Sequence, residues 1–381
     1  MIKKSICVLT AFLLTGGGYM MNPKATSNIN NEICSKKTDS QELEINEIYS
    51  KKTDLQELEI LAPKKLSVGD TICLLEPSRM IECRDKILKK RLPIVKKNLE
   101  ARGFKVVIYK DSFATTPLGV GDGTEDLRAD LFNQAVKDPE IKAIFAFWGG
   151  YGAMHILDKI DYDLFRKNRK IFVGFSDETA IEMAILKKSG IITFHGPMIG
   201  ASLNYSETKT FDNLFDILMN PKENFELKNI DDNSEFELYN NISESEDINC
   251  DVTGTVFGGN LCLVQSLIGT DYEPEYNNKI LFFEEIEEDN YKIHRILWQL
   301  KLNHKLDNLK AVIIGSLIPN HPKETEENLR NICFDVFKNY NIPVLCNFHA
   351  GHISNPLTLP IGANLNIKNN KIFVNQMVVQ N

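Results

Sequence analysis

From about Leu61 onward, short apolar runs of strand length alternate with longer segments whose apolar residues recur at helical spacing. Thr71–Leu75, Lys105–Tyr109, Ile141–Phe147, Ile171–Val173 and Ile191–Phe194 have the β-branched and aromatic character of buried strands. Between them, Asp85–Arg102 reads as a helix that carries Pro93 and stops at Gly103. Thr124 is placed to cap a second helix, whose apolar face is Leu127, Leu131, Phe132, Ala135 and Val136. A third helix runs through Ile181–Leu186 and ends near Gly190. This alternation predicts a largely parallel, doubly wound α/β sheet, spanning residues 61–203.

Residues 204–249 break the pattern. They are rich in Asn, Asp, Glu and Ser, and the expectation is an interdomain connection with some helix. From Cys250 to residue 381 the pattern resumes, with strands expected at Ile280–Phe283, Ala311–Ile314, Pro343–Cys346 and Lys371–Val374. Helices are expected at Tyr291–Leu300 and Thr325–Tyr340, which makes a second, smaller α/β domain.

The amino terminus reads differently. Lys3 and Lys4 precede an apolar stretch from Ile6 to Leu14 and then Gly16-Gly17-Gly18, the layout of a secretory signal over residues 1–24. The stretch is short for a membrane span. Export to the periplasm or cell envelope is the expectation, with a retained anchor or a leader on a cytoplasmic protein as the alternative. Residues 31–45 and 46–60 are one polar segment written twice, differing at Cys34/Tyr49 and Ser40/Leu55. Two copies are too few for a solenoid, so 25–60 reads as a duplicated linker.

Charge and cysteine content narrow the classes. The formal net charge is −8, without the basic footprint of a nucleic-acid binder. The 8 cysteines are scattered, with no C-x-x-C pair and no zinc spacing; most sit in apolar runs as small buried hydrophobes. No metal and no cofactor is expected.

The most informative local feature is Ile171-Phe172-Val173-Gly174-Phe175-Ser176-Asp177-Glu178-Thr179. A buried strand runs into Ser176 and a helix begins at once. Such a turn presents a serine hydroxyl outward and places the next amide, that of Asp177, at a helix N-terminus. Glu178 stands where the usual G-x-S-x-G elbow has its last glycine, and taken alone the segment fits a plain helix cap by Ser176 or Asp177 better. Gly149, Gly150, Tyr151 and Gly152 follow another strand and read either as a plain tight turn or as a turn that lets backbone amides approach a ligand closely. In a parallel sheet both segments leave the carboxyl edge of the strands, where ligands collect. Lys279–Phe283 ends in Glu284 and Glu285, and His352 lies in a loop before the apolar Leu357–Ile361. A serine needs a base, and the base needs a carboxylate. Ser176, His352 and Glu284 supply those types if the two halves of the chain face each other.

With these residues in view, the chain resembles the LD-carboxypeptidase family, which includes murein tetrapeptide carboxypeptidases and microcin C self-immunity peptidases. GGYG at 149–152, DYD at 161–163, GFSDETA at 174–180, ITFHGPM at 192–198, GGNL at 258–261, LFFEE at 281–285 and the 351–363 segment carry the resemblance, from about Leu61 to near the end. It implies a flavodoxin-like amino-terminal domain, a smaller carboxy-terminal domain with the active site at their interface, and a homodimer. It also implies Ser176 as nucleophile, His352 as base, Glu284 as the acidic member, and the backbone amides of Gly150 and Asp177 as oxyanion hole. The implied activity is hydrolysis of an L,D-amide bond that releases terminal D-alanine from a murein tetrapeptide. The alternatives are cleavage of peptidyl-nucleotides and a catalytically silent muropeptide-binding protein. Two departures stand out: Trp148 precedes GGYG where the family often has Arg, and Glu76-Pro77-Ser78-Arg79 matches its serine-rich turn only loosely.

Lesser candidates remain. Gly149, Tyr151, His195 and Asn260 are expected near substrate, although a structural role fits His195 as well. Gly258-Gly259-Asn260 reads as a loop of close backbone approach. Asp161 and Asp163 read as helix caps or braces. His155, His294, His304, His321 and His349 lack metal spacing.

Overall fold

The computed structural model describes residues 58–78, 80–81, 85–109, 111, 115–116, 124–200, 208–230, 234–239 and 251–381. The signal-like segment, nearly all of the duplicated linker, and Arg79 lie outside the described residues. Leu58–Asn381 forms one compact unit.

Two sheets organise it. In the first, β1 (Thr71–Leu75), β3 (Lys105–Ile108), β5 (Ile141–Ala146), β6 (Ile171–Gly174) and β7 (Thr193–His195) lie in the order β3-β1-β5-β6-β7, every pair parallel. This is the flavodoxin-type order, with its reversal between β1 and β5. A sixth strand, β14 (Leu359–Ile361), comes from the far end of the chain and pairs antiparallel with β7. Helices α1 (Asp85–Ala101), α2 (Glu125–Lys137), α3 (Tyr162–Asn168) and α4 (Thr179–Ser189) connect the strands. A minor pair, β2 (Met80–Ile81) with β4 (Thr115–Thr116), lies outside this sheet.

Residues β1, β5 and β6 are buried almost throughout, as a sheet covered on both faces demands. Phe132 of α2 packs against Phe165 of α3 and Phe172 of β6 at ring distances of 6.1 and 5.7 Å. Each such ring contributes about 1.5–3 kcal/mol on burial. Helix α4 is buried over Thr179–Ile185 and at Ser189, with the second sheet packed against it.

The second sheet has eight strands in the order β8-β16-β15-β10-β11-β12-β13-β9. Its centre is the parallel set β10 (Asp251–Asn260), β11 (Lys279–Glu288), β12 (Ala311–Pro319) and β13 (Val344–Cys346). Helices α6 (Leu261–Ser266), α7 (Asn290–Leu302) and α8 (Glu326–Phe337) belong to this half. β15 (Asn364–Lys368) and β16 (Lys371–Val374) extend one side antiparallel.

The stretch 204–249 does more than connect. It supplies α5 (Thr208–Met219) and two edge strands, β8 (Phe225–Leu227) and β9 (Glu237–Tyr239), one at each end of the second sheet. Strands of three residues in a polar context leave almost no periodicity to read.

Two further expectations change. Thr124 precedes α2 but makes no side-chain cap; its hydroxyl accepts from Arg128 Nε at 3.2 Å. Gly258-Gly259-Asn260 is the end of strand β10, not a loop. Gly258 has φ +124°, and a Cβ there would lie 1.8 Å from the Phe282 carbonyl oxygen of β11. The glycine lets β10 and β11 meet at that point. By contrast Asp161 does cap α3, accepting from Leu164 N at 2.8 Å.

Gly258→Ala should therefore lower stability by about 3 kcal/mol or more, from backbone strain plus overpacking. Denaturant unfolding should show a lower midpoint with an unchanged slope. An unchanged midpoint would mean that the two strands are not in this contact.

Candidate active site

The strand β6 delivers Ser176. Phe175 is still extended, and Ser176 itself has φ +61°, a left-handed conformation a non-glycine residue adopts at a cost of about 1–3 kcal/mol. A short 3₁₀ turn, Ser176–Glu178, then leads into α4. The strained turn is what carries the hydroxyl out of the sheet plane.

Strand β11 delivers Glu284 from within its length, and the side chain is fully buried. The segment between β13 and β14 delivers His352. The three side chains meet: the Ser176 hydroxyl lies 3.0 Å from His352 Nε2, and His352 Nδ1 lies 2.7 Å from Glu284 Oε2. With Nδ1–H donating to the carboxylate, Nε2 is left to accept the serine proton. Burial favours the neutral ring, but the Glu284 carboxylate outweighs it and raises the pKa of His352 above the usual histidine value. Phe175 packs against the imidazole at 4.7 Å between ring centres.

A second tier holds Glu284. Asn260 Nδ2 donates to Glu284 Oε1 at 3.3 Å and to Glu285 Oε1 at 2.9 Å. Burial and the neighbouring Glu284 push Glu285 above the usual carboxylate range, against the Cys262 and Ile286 amides that donate to it. Asn260 is 4% exposed, so it braces the carboxylates and does not present itself to a substrate, contrary to the expectation from the sequence.

His195 is corrected in the same way. It is 1% exposed, its Nδ1 is 3.1 Å from Glu182 Oε2, and its ring packs against Phe175 and Phe282. It stands behind the Phe175 ring that contacts His352, out of reach of a substrate.

The glycine loop borders the nucleophile. A Cβ on Gly149 would come within 3.3 Å of Ser176 Cβ and 3.0 Å of Met198 Cε. Gly150 and Tyr151 are exposed, and the Tyr151 ring stands edge-on to His155 at 5.1 Å. Trp148 is half-buried, with the Arg91 guanidinium 4.9 Å over its ring. Among the described residues, neither the Asp177 nor the Gly150 amide donates a hydrogen bond within the fold. Two further residues, Ser78 and Arg128, meet the nucleophile turn and the glycine loop from other elements. Ser78 reaches the carboxylates of Asp177 and Glu178, and Arg128 reaches the carbonyl oxygens of Pro77 and Gly152. Only the loosely matched turn at Glu76–Ser78 hinted at this cluster.

A strained serine, a histidine and a buried carboxylate in one hydrogen-bonded chain define a serine-hydrolase type of site. Comparison with known proteins says which. The LD-carboxypeptidase N-terminal domain model matches residues 72–196 and the C-terminal domain model matches residues 253–367. The chain is 30% identical over 304 residues to the probable murein peptide carboxypeptidase of Bacillus subtilis, covering 79% of this chain and 89% of that one. It is 30% identical over 326 residues to the microcin C7 self-immunity protein MccF of Escherichia coli, covering 79% and 91%. Among solved structures, MccF in complex with glutamyl sulfamoyl guanosine superposes with a TM-score of 0.72 at 27% identity, over 84% of this chain and 100% of that one. A muramoyltetrapeptide carboxypeptidase from Oxalobacter formigenes superposes at 0.64 and 26%, over 82% and 100%. The chain belongs to the LD-carboxypeptidase family, and it is a peptidase of the serine type.

The His352 ring should titrate above an ordinary histidine when followed by NMR. Glu284→Gln should bring its pKa down, because the anion that favours the imidazolium is gone. A ring pKa that is indifferent to this replacement would break the link between the two residues.

Proposed function

We propose that the enzyme releases the carboxy-terminal D-residue of a murein-type tetrapeptide, with Ser176 as nucleophile, His352 as general base and Glu284 as its orienting carboxylate. The observation that carries this reading is the continuous chain from Ser176 Oγ through His352 to Glu284, at 3.0 and 2.7 Å. It agrees with the names of the relatives from Bacillus subtilis and Oxalobacter formigenes.

His352 Nε2 takes the hydroxyl proton as Ser176 Oγ attacks the carbonyl carbon of the scissile amide. The developing oxyanion sits at the amides of Asp177 and Gly150, each such donor supplying about 3–4 kcal/mol. Glu284 holds the imidazolium in place. His352 then gives its proton to the leaving amine, and the D-amino acid departs. Water, deprotonated by the same histidine, attacks the acyl-enzyme and frees the shortened peptide. A substrate found in the cell envelope agrees with the export expected for residues 1–24.

The superposition on MccF favours a second substrate class, a peptidyl-nucleotide. Trp148 is half-exposed beside the glycine loop with Arg91 over its ring, an aromatic surface of the kind on which a base stacks. Both classes use the same chemistry at Ser176.

Purified enzyme should release D-alanine from murein tetrapeptide, and Ser176→Ala should lower kcat by about four orders of magnitude or more. Undiminished release by the variant would end the serine mechanism. Turnover of a peptidyl-nucleotide in preference to the tetrapeptide would transfer the assignment to the second class.

A further inference from the structure

Beneath the nucleophile lies a cluster of buried polar groups that the mechanism above does not use. Ser78 and Glu178 are fully buried, Arg128 is 3% exposed and Asp177 6%. The Ser78 hydroxyl is 2.7 Å from Asp177 Oδ2 and 2.5 Å from Glu178 Oε1. Ser78 N also donates to Glu178 Oε1 at 3.2 Å. One hydroxyl has one proton and cannot donate to two carboxylates. Two anions held this close around a single buried hydroxyl would repel each other in a low-dielectric interior. The distances therefore require one more proton than two ionised carboxylates hold.

Its position follows from the partners. Burial raises the pKa of Asp177, but its Oδ2 accepts from Ser78 Oγ at 2.7 Å and from Ala153 N at 2.8 Å, and these donors favour its charged form. Glu178 has Oε1 on Ser78, while its Oε2 finds no partner among the described residues. Burial, then the adjacent Asp177, push Glu178 well above the usual carboxylate range.

We propose that Glu178 is a positioning residue that works as a carboxylic acid, joining Ser78 and Asp177 in one shared-proton unit that fixes the Gly149–Ala153 loop against the nucleophile turn. The inference rests on the reading of Ser176 as nucleophile and goes beyond it. Glu178 donates to Ser78 Oγ, Ser78 donates to Asp177, and Asp177 holds Ala153 N at the end of the loop. Arg128 NH1 holds the same loop from α2 through the Gly152 carbonyl oxygen at 3.1 Å. The loop carries Gly150, whose amide the mechanism directs at the oxyanion, so the unit acts on the rate through the loop.

Removing the Glu178 proton would leave two anions competing for one donor, and one of them would have to turn away. The charged groups that act on the unit are Arg128 from α2 and His155 in the turn after the loop; His155 itself faces Glu125 at 3.9 Å, and the buried Glu76 follows β1 two residues before Ser78. Arg128 is the cation that acts on both carboxylates, and it favours their charged forms without supplying the missing proton.

The test combines infrared spectroscopy with rates, on the full chain. The difference spectrum between wild type and Glu178→Gln at neutral pH should contain a carboxylic-acid carbonyl band, and in wild type that band should vanish at alkaline pH as kcat falls. Glu178→Gln keeps a donor to Ser78 and should lose this alkaline decline. Glu178→Leu keeps bulk without the donor and should lower kcat about tenfold with KM little changed. A difference spectrum without the acid band, or a Glu178→Gln profile with the wild-type alkaline limb, overturns the proposal. If Ser176 were not the nucleophile, Ser176→Ala would keep its activity while the acid band at Glu178 remained, so the two readings fail separately.

Discussion

A carboxylate with no solvent exposure must be answered by partners inside the protein, because an uncompensated buried charge costs several kcal/mol. Glu284 is such a group, placed within the central strand β11. Its partners are His352 on one oxygen and Asn260 on the other. Satisfying this charge fixes the imidazole in one orientation, and the orientation leaves Nε2 facing Ser176. The site is the consequence of where one negative charge was buried.

The two sheets have to be locked together for that consequence to follow, because Ser176 rides on the first and Glu284 on the second. Several contacts do so without taking part in the chemistry. Asn260 N donates to Thr179 Oγ1 at 2.9 Å, tying the end of β10 to the start of α4 directly after the nucleophile turn. Strand β14 leaves the second half of the chain to pair with β7, and it follows the segment that holds His352. Phe175 and His195 fill the space behind the imidazole. The strain stored at Ser176 persists because these contacts over-determine the turn.

Much of this was legible in the sequence, and the reasons are physical. Strands buried on both faces, such as Ile141–Ala146 and Ile171–Gly174, write themselves as continuous apolar runs, so the parallel sheet could be read. Ser176 directly follows an apolar strand, Glu284 is where the apolar run 280–283 gives way to acids, and His352 lies in a polar loop between apolar segments, which marks them as candidates. What the sequence could not show was distance: Asn260 and His195 carry polar side chains beside the right motifs, yet each is turned inward to a carboxylate. The edge strands β8 and β9 were hidden because three-residue strands hold no measurable period. The Ser78–Asp177–Glu178 cluster joins positions about 100 residues apart, and nothing local announces that two acids share one hydroxyl.

The central claim is that the imidazole of residue 352 activates the residue-176 hydroxyl. A serine-directed phosphonate probe followed by peptide mapping reads this without any assumption about the natural substrate. The account predicts a single covalent adduct on the peptide containing Ser176, with labelling strongly slowed in a folded His352→Ala variant. Adducts elsewhere, or equal labelling rates in the two proteins, would contradict it.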